Sequence, residues 1–460
     1  MKNEIPVEKG KKYVLTITSL GSSAEGVGRY EDFTLFVPYA LPGEKVEIQV
    51  EEVKKSYAKG KLLRIIEASS DRTEPKCAIY HSCGGCQLQH MSYDGQLRVK
   101  RQQVVDAVQR IGKQTKVKIH PTIGAVQPWN YRNKMQFPIG LSKGKLTIGC
   151  YAQGTHAIID TDDCCIQKQG NNEIVQAVRA AIERLRIPVY NEDRHTGILR
   201  HVVGRVGKNG DLMIVLVTTV KELQRTKELI HILREKLPKL VSLQQNVQTY
   251  RNNVIMGRDT RLLWGKPTIL DRIGRFSFHI SPRSFFQIHT EQAEVLYSKA
   301  LEYAGLTGKE VVIDAYCGTG TITLFLAQKA HKVYGIEIVK PAILDAQKNA
   351  RDNHVKNTEF IVGDATVVMP RLYKQGVRPD VVVVDPPRAG CTPTVLETFA
   401  HMQPAKIVYV SCNPASLARD IAILDELGYT AIEIQPVDMF SQTSHVESIA
   451  LLRRKISENP

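Results

Sequence analysis

Cys412 closes the apolar run Lys406-Ile-Val-Tyr-Val-Ser411 and is followed at once by Asn413-Pro414 and a helical pattern. A lone cysteine is most often a buried structural thiol. This one follows the predicted strand rather than lying within it, at an open strand end before a helix, an environment that lowers a thiol pKa and suits a nucleophile. A second group, Cys77, Cys83 and Cys86, brings three thiols together with two glycines between the last pair. The chain has nine cysteines, and its polar start, MKNEIPVEKGKK, has no signal-peptide core, which argues against a disulfide framework. Three reduced thiols at such spacing imply a metal site, and Asp163-Cys164-Cys165-Ile166 supplies two candidates for the fourth ligand. Spacing does not separate zinc from an iron–sulfur cluster, since both accept four thiolates. Cys150, Cys317 and Cys391 read as ordinary buried or loop thiols.

A third set is acidic. The loop Asp314-Ala-Tyr-Cys-Gly-Thr-Gly320 ends an apolar run and opens a helix, so its glycines let a ligand approach the backbone. Thr323 stands where a dinucleotide fingerprint wants a third glycine, which weakens the nicotinamide or flavin reading. Glu337 closes the next strand, placed to accept hydrogen bonds from ribose hydroxyls, and Asp364 follows the strand after that, placed toward an adenine edge. Any one of these acids is more commonly a helix cap. All three in register suit S-adenosylmethionine, whose sulfonium and amino group are cationic and need no phosphate cradle. Asp385-Pro-Pro-Arg388 ends a fourth strand in a rigid turn. Arg388, in place of an aromatic after Pro-Pro, argues against methylation of an exocyclic nitrogen.

The elements that must position these groups follow from periodicity. From about residue 305, apolar strands alternate with helical stretches, which predicts βαβ units and a parallel, doubly wound sheet with its ligand at the carboxyl ends of the strands. Residues 12–66 alternate in short runs between Gly-rich and Pro-Gly turns, the pattern of a small OB-like antiparallel barrel. Residues 92–118 read as one amphipathic helix with Leu97, Val104, Val105, Val108 and Ile111 on the apolar side and the arginines opposite. Between residues 124 and 273 the pattern is mixed, with two hairpins and two helices and no clear linker. The expected division is 1–68, 69–272 and 273–460.

The net charge is +15, with basic residues gathered at Lys54, Lys55, Lys59, Lys61 and Arg64 and again at Arg98, Lys100, Arg101, Arg110, Lys113, Lys116 and Lys118. Clustering of this kind favours a polyanionic partner, most simply nucleic acid. No apolar run is long enough to span a bilayer, and a cytoplasmic location is expected.

DAYCGTG (314–320), DPPR (385–388), SCNP (411–414) and HVE (445–447), preceded by FFQ (285–287), together resemble the RNA uridine C5-methyltransferase family, in particular its bacterial ribosomal-RNA branch. The resemblance covers nearly the whole chain. It implies a class I (Rossmann-like) α/β methyltransferase domain, an amino-terminal TRAM barrel that binds RNA, and a central mixed α/β iron–sulfur domain. It further implies S-adenosylmethionine held by Gln287, Tyr316, Glu337 and Asp385, and a [4Fe–4S] cluster on Cys77, Cys83, Cys86 and Cys164, with a structural or RNA-recognition role. Cys412 matches the nucleophile that adds to uracil C6, and Glu447 the base that removes the C5 proton; His445 is a candidate to orient Glu447. The implied substrate is a flipped uridine of 23S ribosomal RNA; a monomer is expected of a multi-domain enzyme that wraps its RNA. Transfer RNA as substrate, and a nonenzymatic RNA-binding iron–sulfur protein on the same scaffold, are the alternatives; retention of both Cys412 and Glu447 speaks against the latter.

Overall fold

The computed structural model describes residues 5–455, so the first four residues of the polar amino-terminal stretch lie outside it. Five strands, β1 (Lys12–Leu20), β2 (Gly26–Tyr30), β3 (Phe33–Val37), β4 (Lys45–Val53) and β5 (Tyr57–Glu67), close a barrel in the order β1-β2-β3-β5-β4. Alternation along β1 and β4 sends Leu15, Ile17, Val46, Ile48 and Val50 inward as its core. The barrel is moored at one end: buried Glu44 accepts from Arg72 Nε at 2.5 Å, while Arg72 also donates to the Tyr39 carbonyl at 2.7 Å. Burial pushes the Glu44 carboxyl up, but Arg72 and the Leu41 amide hold it below its ordinary value.

Helix α1 (Tyr93–Arg110) starts at Ser92, whose hydroxyl accepts from the Gly95 amide at 3.1 Å. It does not run to Lys118 as its periodicity suggested. After Arg110 the Gly112 and Gln114 amides fold back onto the Ala107 and Val108 carbonyls, and Lys118 and Ile119 form β6, a strand paired with Glu433 and Ile434. Lys100 does not face solvent with the other basic residues either. Its side chain and that of Asp438 are wholly buried, 2.5 Å apart, and Lys100 Nζ also donates to the Phe440 carbonyl at 3.1 Å.

The central region is a seven-stranded sheet ordered β13-β12-β11-β10-β7-β8-β9, built from β7 (Lys134–Ser142), β8 (Lys145–Tyr151), β9 (Ile158–Asp160), β10 (Leu199–Val206), β11 (Leu212–Thr218), β12 (Leu240–Val247) and β13 (Asp259–Gly265). Helices α2 (Gln169–Leu185) and α3 (Thr226–Lys236) cover one face with Ile174, Val178, Ile182 and Leu233. From the other face Met213, Val215 and Val217 enter the core that also holds the hairpin β14 (Ile269–Ile273) and β15 (Phe276–Ile280) and the helix α4 (Thr290–Ala304).

The carboxyl-terminal sheet has the order β18-β17-β16-β19-β20-β22-β21-β6. Strands β16 (Val311–Asp314), β17 (Lys332–Glu337), β18 (Thr358–Val362), β19 (Val381–Val384) and β20 (Lys406–Ser411) are parallel and alternate with α5 (Thr321–Ala327), α6 (Lys340–Asp352), α7 (Ala365–Lys374), α8 (Pro393–Met402) and α9 (Pro414–Glu426). The final strands β21 (Tyr429–Val437) and β22 (Glu447–Arg454) reverse the direction, with β22 inserted antiparallel between β20 and β21. Among the described residues no helix is long and apolar enough to cross a membrane.

Lys100→Met leaves Asp438 buried without its counter-charge and should lower the unfolding free energy by about 3–5 kcal/mol, the usual cost of breaking one side of such a pair. Adding Asp438→Asn should recover more than half of the loss. Urea denaturation of the two variants checks this, and an unchanged midpoint for Lys100→Met would show that the pair carries no weight.

Candidate active site

The reversal of the last strands places the chemistry. In the β20–β22 ladder Ser411 lies opposite Ser448. One step further, Cys412 leaves β20 where Glu447 enters β22, so register alone sets a thiol beside a carboxylate. Asp385 follows β19 on the same edge, and Arg388 lies three residues beyond it. The thiol opens onto a groove whose walls come from three regions: Arg388 and His445 of the carboxyl-terminal domain, Gln103 and Arg110 of α1, and Gly21 and Ser22 at the β1–β2 turn of the barrel.

Behind the thiol lies a cluster of buried acids. Burial, aided by repulsion from Asp385 and opposed by Arg388, raises Glu447 to about 8. Burial raises Asp385 to about 7, with Asp314 adding to the effect. Asp314 is raised to about 7 by burial, despite a 2.6 Å hydrogen bond from the Thr323 hydroxyl, and its Oδ1 has no hydrogen-bond partner among the described residues. A strand-end cysteine before a helix was expected to be acidic. Instead, burial and the Glu447 and Asp385 charges push Cys412 up to about 11, with only Arg388 and its own backbone working the other way. One helix terminus does not outweigh two nearby carboxylates in a low-dielectric site.

The remaining candidates line the same edge. Gln287 is buried in the FFQ segment, within hydrogen-bond reach of Tyr297, and its carbonyl accepts from Asn133 at 2.9 Å. Tyr316 is half-buried in the loop after β16, near Cys391. Glu337 accepts from the Gly318 amide at 3.3 Å and the Val339 amide at 2.8 Å, which fixes its carboxylate beside the glycine loop. Gly320 caps α5 at φ 83°, and a Cβ there would press on Ala346 and Phe360 at 3.1 Å, so the tight turn requires glycine. Asp364 acts as the N-cap of α7, its Oδ1 taking the Thr366 amide and hydroxyl at 2.8 and 2.6 Å. His445 is exposed with its ring against Phe440, and no hydrogen bond joins it to Glu447 among the described residues. Tyr297, Arg388 as a charge partner and the walls given by α1 and the barrel escaped sequence reasoning. Their roles depend on contacts between segments far apart in the chain, for which spacing gives no signal.

Cys77, Cys83, Cys86 and Cys164 line one cavity of about 510 Å³, together with Cys165 and Cys150. Cys150 was expected to be an ordinary thiol; β8 carries it to within hydrogen-bond reach of Cys83. Cys165 approaches Cys77 in the same way, so both candidates for the fourth ligand face the cavity. Cys317 and Cys391 are buried elsewhere. Gly84 packs so closely on the Gln153 backbone that a Cβ would meet it at 3.1 Å, which accounts for glycine in the Cys83–Cys86 turn. Arg132 and Lys134 share the cavity wall. Among the described residues no three Cys, His, Asp or Glu side chains converge on a ready-made metal-ion site.

A family model described as tRNA (Uracil-5-)-methyltransferase matches residues 210–455, and a TRAM domain model matches residues 6–63. An uncharacterized RNA methyltransferase of Clostridium tetani is 52% identical over 453 residues, covering 98% of each chain. Another, from Halalkalibacterium halodurans, is 51% identical over 455 residues and 99% of each chain. The crystal structure of the Pyrococcus abyssi tRNA (uracil-54, C5)-methyltransferase in complex with S-adenosyl-L-homocysteine superposes with a TM-score of 0.76 at 30% identity, covering 95% of this chain and 98% of that one.

Alkylation of the RNA-free protein by iodoacetamide tests the electrostatics. Glu447→Gln removes a charge that forms only as pH rises through about 8. The variant should therefore be alkylated at Cys412 faster than the native protein above that pH, and equally fast below it. Indistinguishable rates throughout would mean that the carboxylate does not face the thiol.

Proposed function

The chain belongs to the tRNA (uracil-5-)-methyltransferase family of S-adenosylmethionine-dependent RNA methyltransferases, and on that premise we propose that it methylates C5 of a uridine in 23S ribosomal RNA through a covalent bond between Cys412 and uracil C6. The observation that carries the reading is the β20–β22 register, which sets Cys412 and Glu447 side by side at the edge bearing Asp385. Uracil C5 is a poor nucleophile, and thiolate addition at C6 makes C5 electron-rich; this is covalent catalysis. The methyl donor supplies an electrophilic carbon when bound. Gln287, Tyr316, Glu337 and Asp385 are the residues proposed to hold it, and the unpartnered Asp314 Oδ1 among acids of raised pKa suits a cationic ligand. Glu447 then accepts the C5 proton as general base, and Cys412 leaves by elimination. Cys412 must reach C6 of the ring, an atom shielded in a stacked base, so the uridine is proposed to be flipped into the groove.

The cysteine cavity is proposed to hold a [4Fe–4S] cluster on Cys77, Cys83, Cys86 and Cys164. The support is the gathering of thiols in one cavity of about 510 Å³ beside Arg132 and Lys134, whose positive charge suits an anionic thiolate-held group. Its role is structural, since methyl transfer needs no redox step. The protein is read as a cytoplasmic monomer.

Transfer RNA is the second reading, favoured by the substrate of the Pyrococcus neighbour. Mapping 5-methyluridine in ribosomal and transfer RNA from cells with and without the protein should show loss from 23S ribosomal RNA. Loss from transfer RNA alone would replace the first reading by the second. Anaerobically purified protein should contain iron and acid-labile sulfide, and Cys86→Ser should lose both. Zinc in stoichiometric amount without sulfide would overturn the cluster.

A further inference from the structure

The segment that carries Cys83 and Cys86 continues directly into contacts with the loop that delivers Glu447. The amides of Gln87 and Leu88 both donate to the Gln442 carbonyl at 3.0 Å. The Gln87 side chain spans two structures: its Nε2 donates to the Gly84 carbonyl at 2.9 Å, inside the thiol turn, and its Oε1 accepts from the Ser444 amide at 3.4 Å. Ser444 is buried and lies three residues before Glu447. Gln96 of α1 closes the arrangement, donating from Nε2 to both the Leu88 carbonyl and Gln442 Oε1 at 3.0 Å, while its Oε1 accepts the Gln442 amide at 3.0 Å. The base-bearing loop thus rests on the thiol turn through backbone and side-chain bonds.

We propose that the Cys83–Leu88 segment positions the catalytic base, with Gln87 as the positioning residue that links the thiol turn to the loop ahead of Glu447. This rests on the reading of Cys412 and Glu447 given above, and it assigns the cysteine region a part in the second half of the reaction. Addition of the Cys412 thiolate to C6 passes no proton to Glu447. Removal of the C5 proton needs the Glu447 carboxylate held in line with that C–H bond, and a shift of about 1 Å is costly at such a step. Loss of the Gln87 brace therefore slows elimination selectively.

Two substitutions separate the roles of the side chain. Gln87→Met keeps its length and loses both bonds; Gln87→Glu keeps an acceptor for the Ser444 amide and loses only the donor to Gly84. The full-length proteins are mixed with S-adenosylmethionine and total RNA from cells lacking the protein, and the covalent protein–RNA species is followed on denaturing gels. With Gln87→Met the methylated adduct should persist, its decay slowed about tenfold, on the order of one lost hydrogen bond in a transition state. KM for RNA and for S-adenosylmethionine should stay within about twofold, because substrate binding does not use the brace. Gln87→Glu, which keeps the Ser444 acceptor but loses the bond to the thiol turn, should decay at a rate between those of the native protein and Gln87→Met. Native decay in Gln87→Met, or a change in KM alone, would overturn the positioning role while leaving the nucleophile reading intact. No adduct in the native protein would sink both.

Discussion

The active-site edge depends on one ion pair with no access to water, Lys100 to Asp438 at 2.5 Å. Asp438 follows β21 at the start of the connection that ends in Glu447, and Lys100 lies in the middle of α1, so the pair fixes a helix to a catalytic loop across 338 residues of sequence. Burial alone would push Asp438 up, but Lys100, the Tyr93 hydroxyl at 2.6 Å and the Ser441 hydroxyl at 2.7 Å hold it below its ordinary value. An apolar pair of the same volume could be as stable, as buried ion pairs often show. A leucine would not choose between two registers of α1 against the loop, whereas a buried charge with directed hydrogen bonds does. Once the register is set, Gln96 falls opposite Gln442, and Gln103 and Arg110 fall on the groove wall.

From that pair the structure extends outward in steps. Leu88 and Gln87 rest on the loop, the thiol turn rests on Gln87, and the barrel rests on the thiol segment: Tyr39 packs edge-on against Tyr80, His81 and His90 with centroids 5.0–5.9 Å apart. Tyr80 in turn shares a 2.6 Å hydrogen bond with His90 Nδ1. The barrel turn at Gly21 and Ser22 therefore reaches the groove with its position defined by contacts that lead back to Lys100. The proposed reaction at Cys412 would need this continuity, since a flexible attachment of the barrel would spread a bound base over many orientations.

Much of this was legible in the sequence because a parallel sheet buried on both faces needs continuous apolar runs, and its strand ends are where side chains can meet a ligand. VVID, VVVV and KIVYVS announce themselves, and so do the residues that follow them. Charge direction was less legible. Lys100 sits in a basic run, and its charge speaks for solvent although its spacing of three from Leu97 and four from Val104 puts it on the inward face, where Asp438 waits; Cys150 sits in an ordinary strand pattern, yet β8 carries it to Cys83. The end of α1 at Arg110 was hidden by a pattern that stays amphipathic through residues 118–119, which join a strand of the distant carboxyl terminus instead. In each case a contact far away in sequence decided the outcome, and neither residue type nor local periodicity names the partner.

The resting chemistry of the site then makes sense as a whole. A surface that is strongly positive overall surrounds a centre in which Asp314, Asp385 and Glu447 are all less acidic than usual because they are buried together. Such a centre is costly while empty of cations and relaxes when positive charge enters it. Under the proposed reaction, a cation held at the Asp385 edge would favour the charged forms of both Cys412 and Glu447, so binding of the methyl donor would promote thiolate formation. After the methyl group has moved, the positive charge is gone and Glu447 returns toward its raised value near 8. It is then most basic at the step that asks it to take the C5 proton. A raised carboxylate and a raised thiol, each unsuited to its task in the resting protein, are suited to it in sequence because the charge that tunes them is consumed by the reaction.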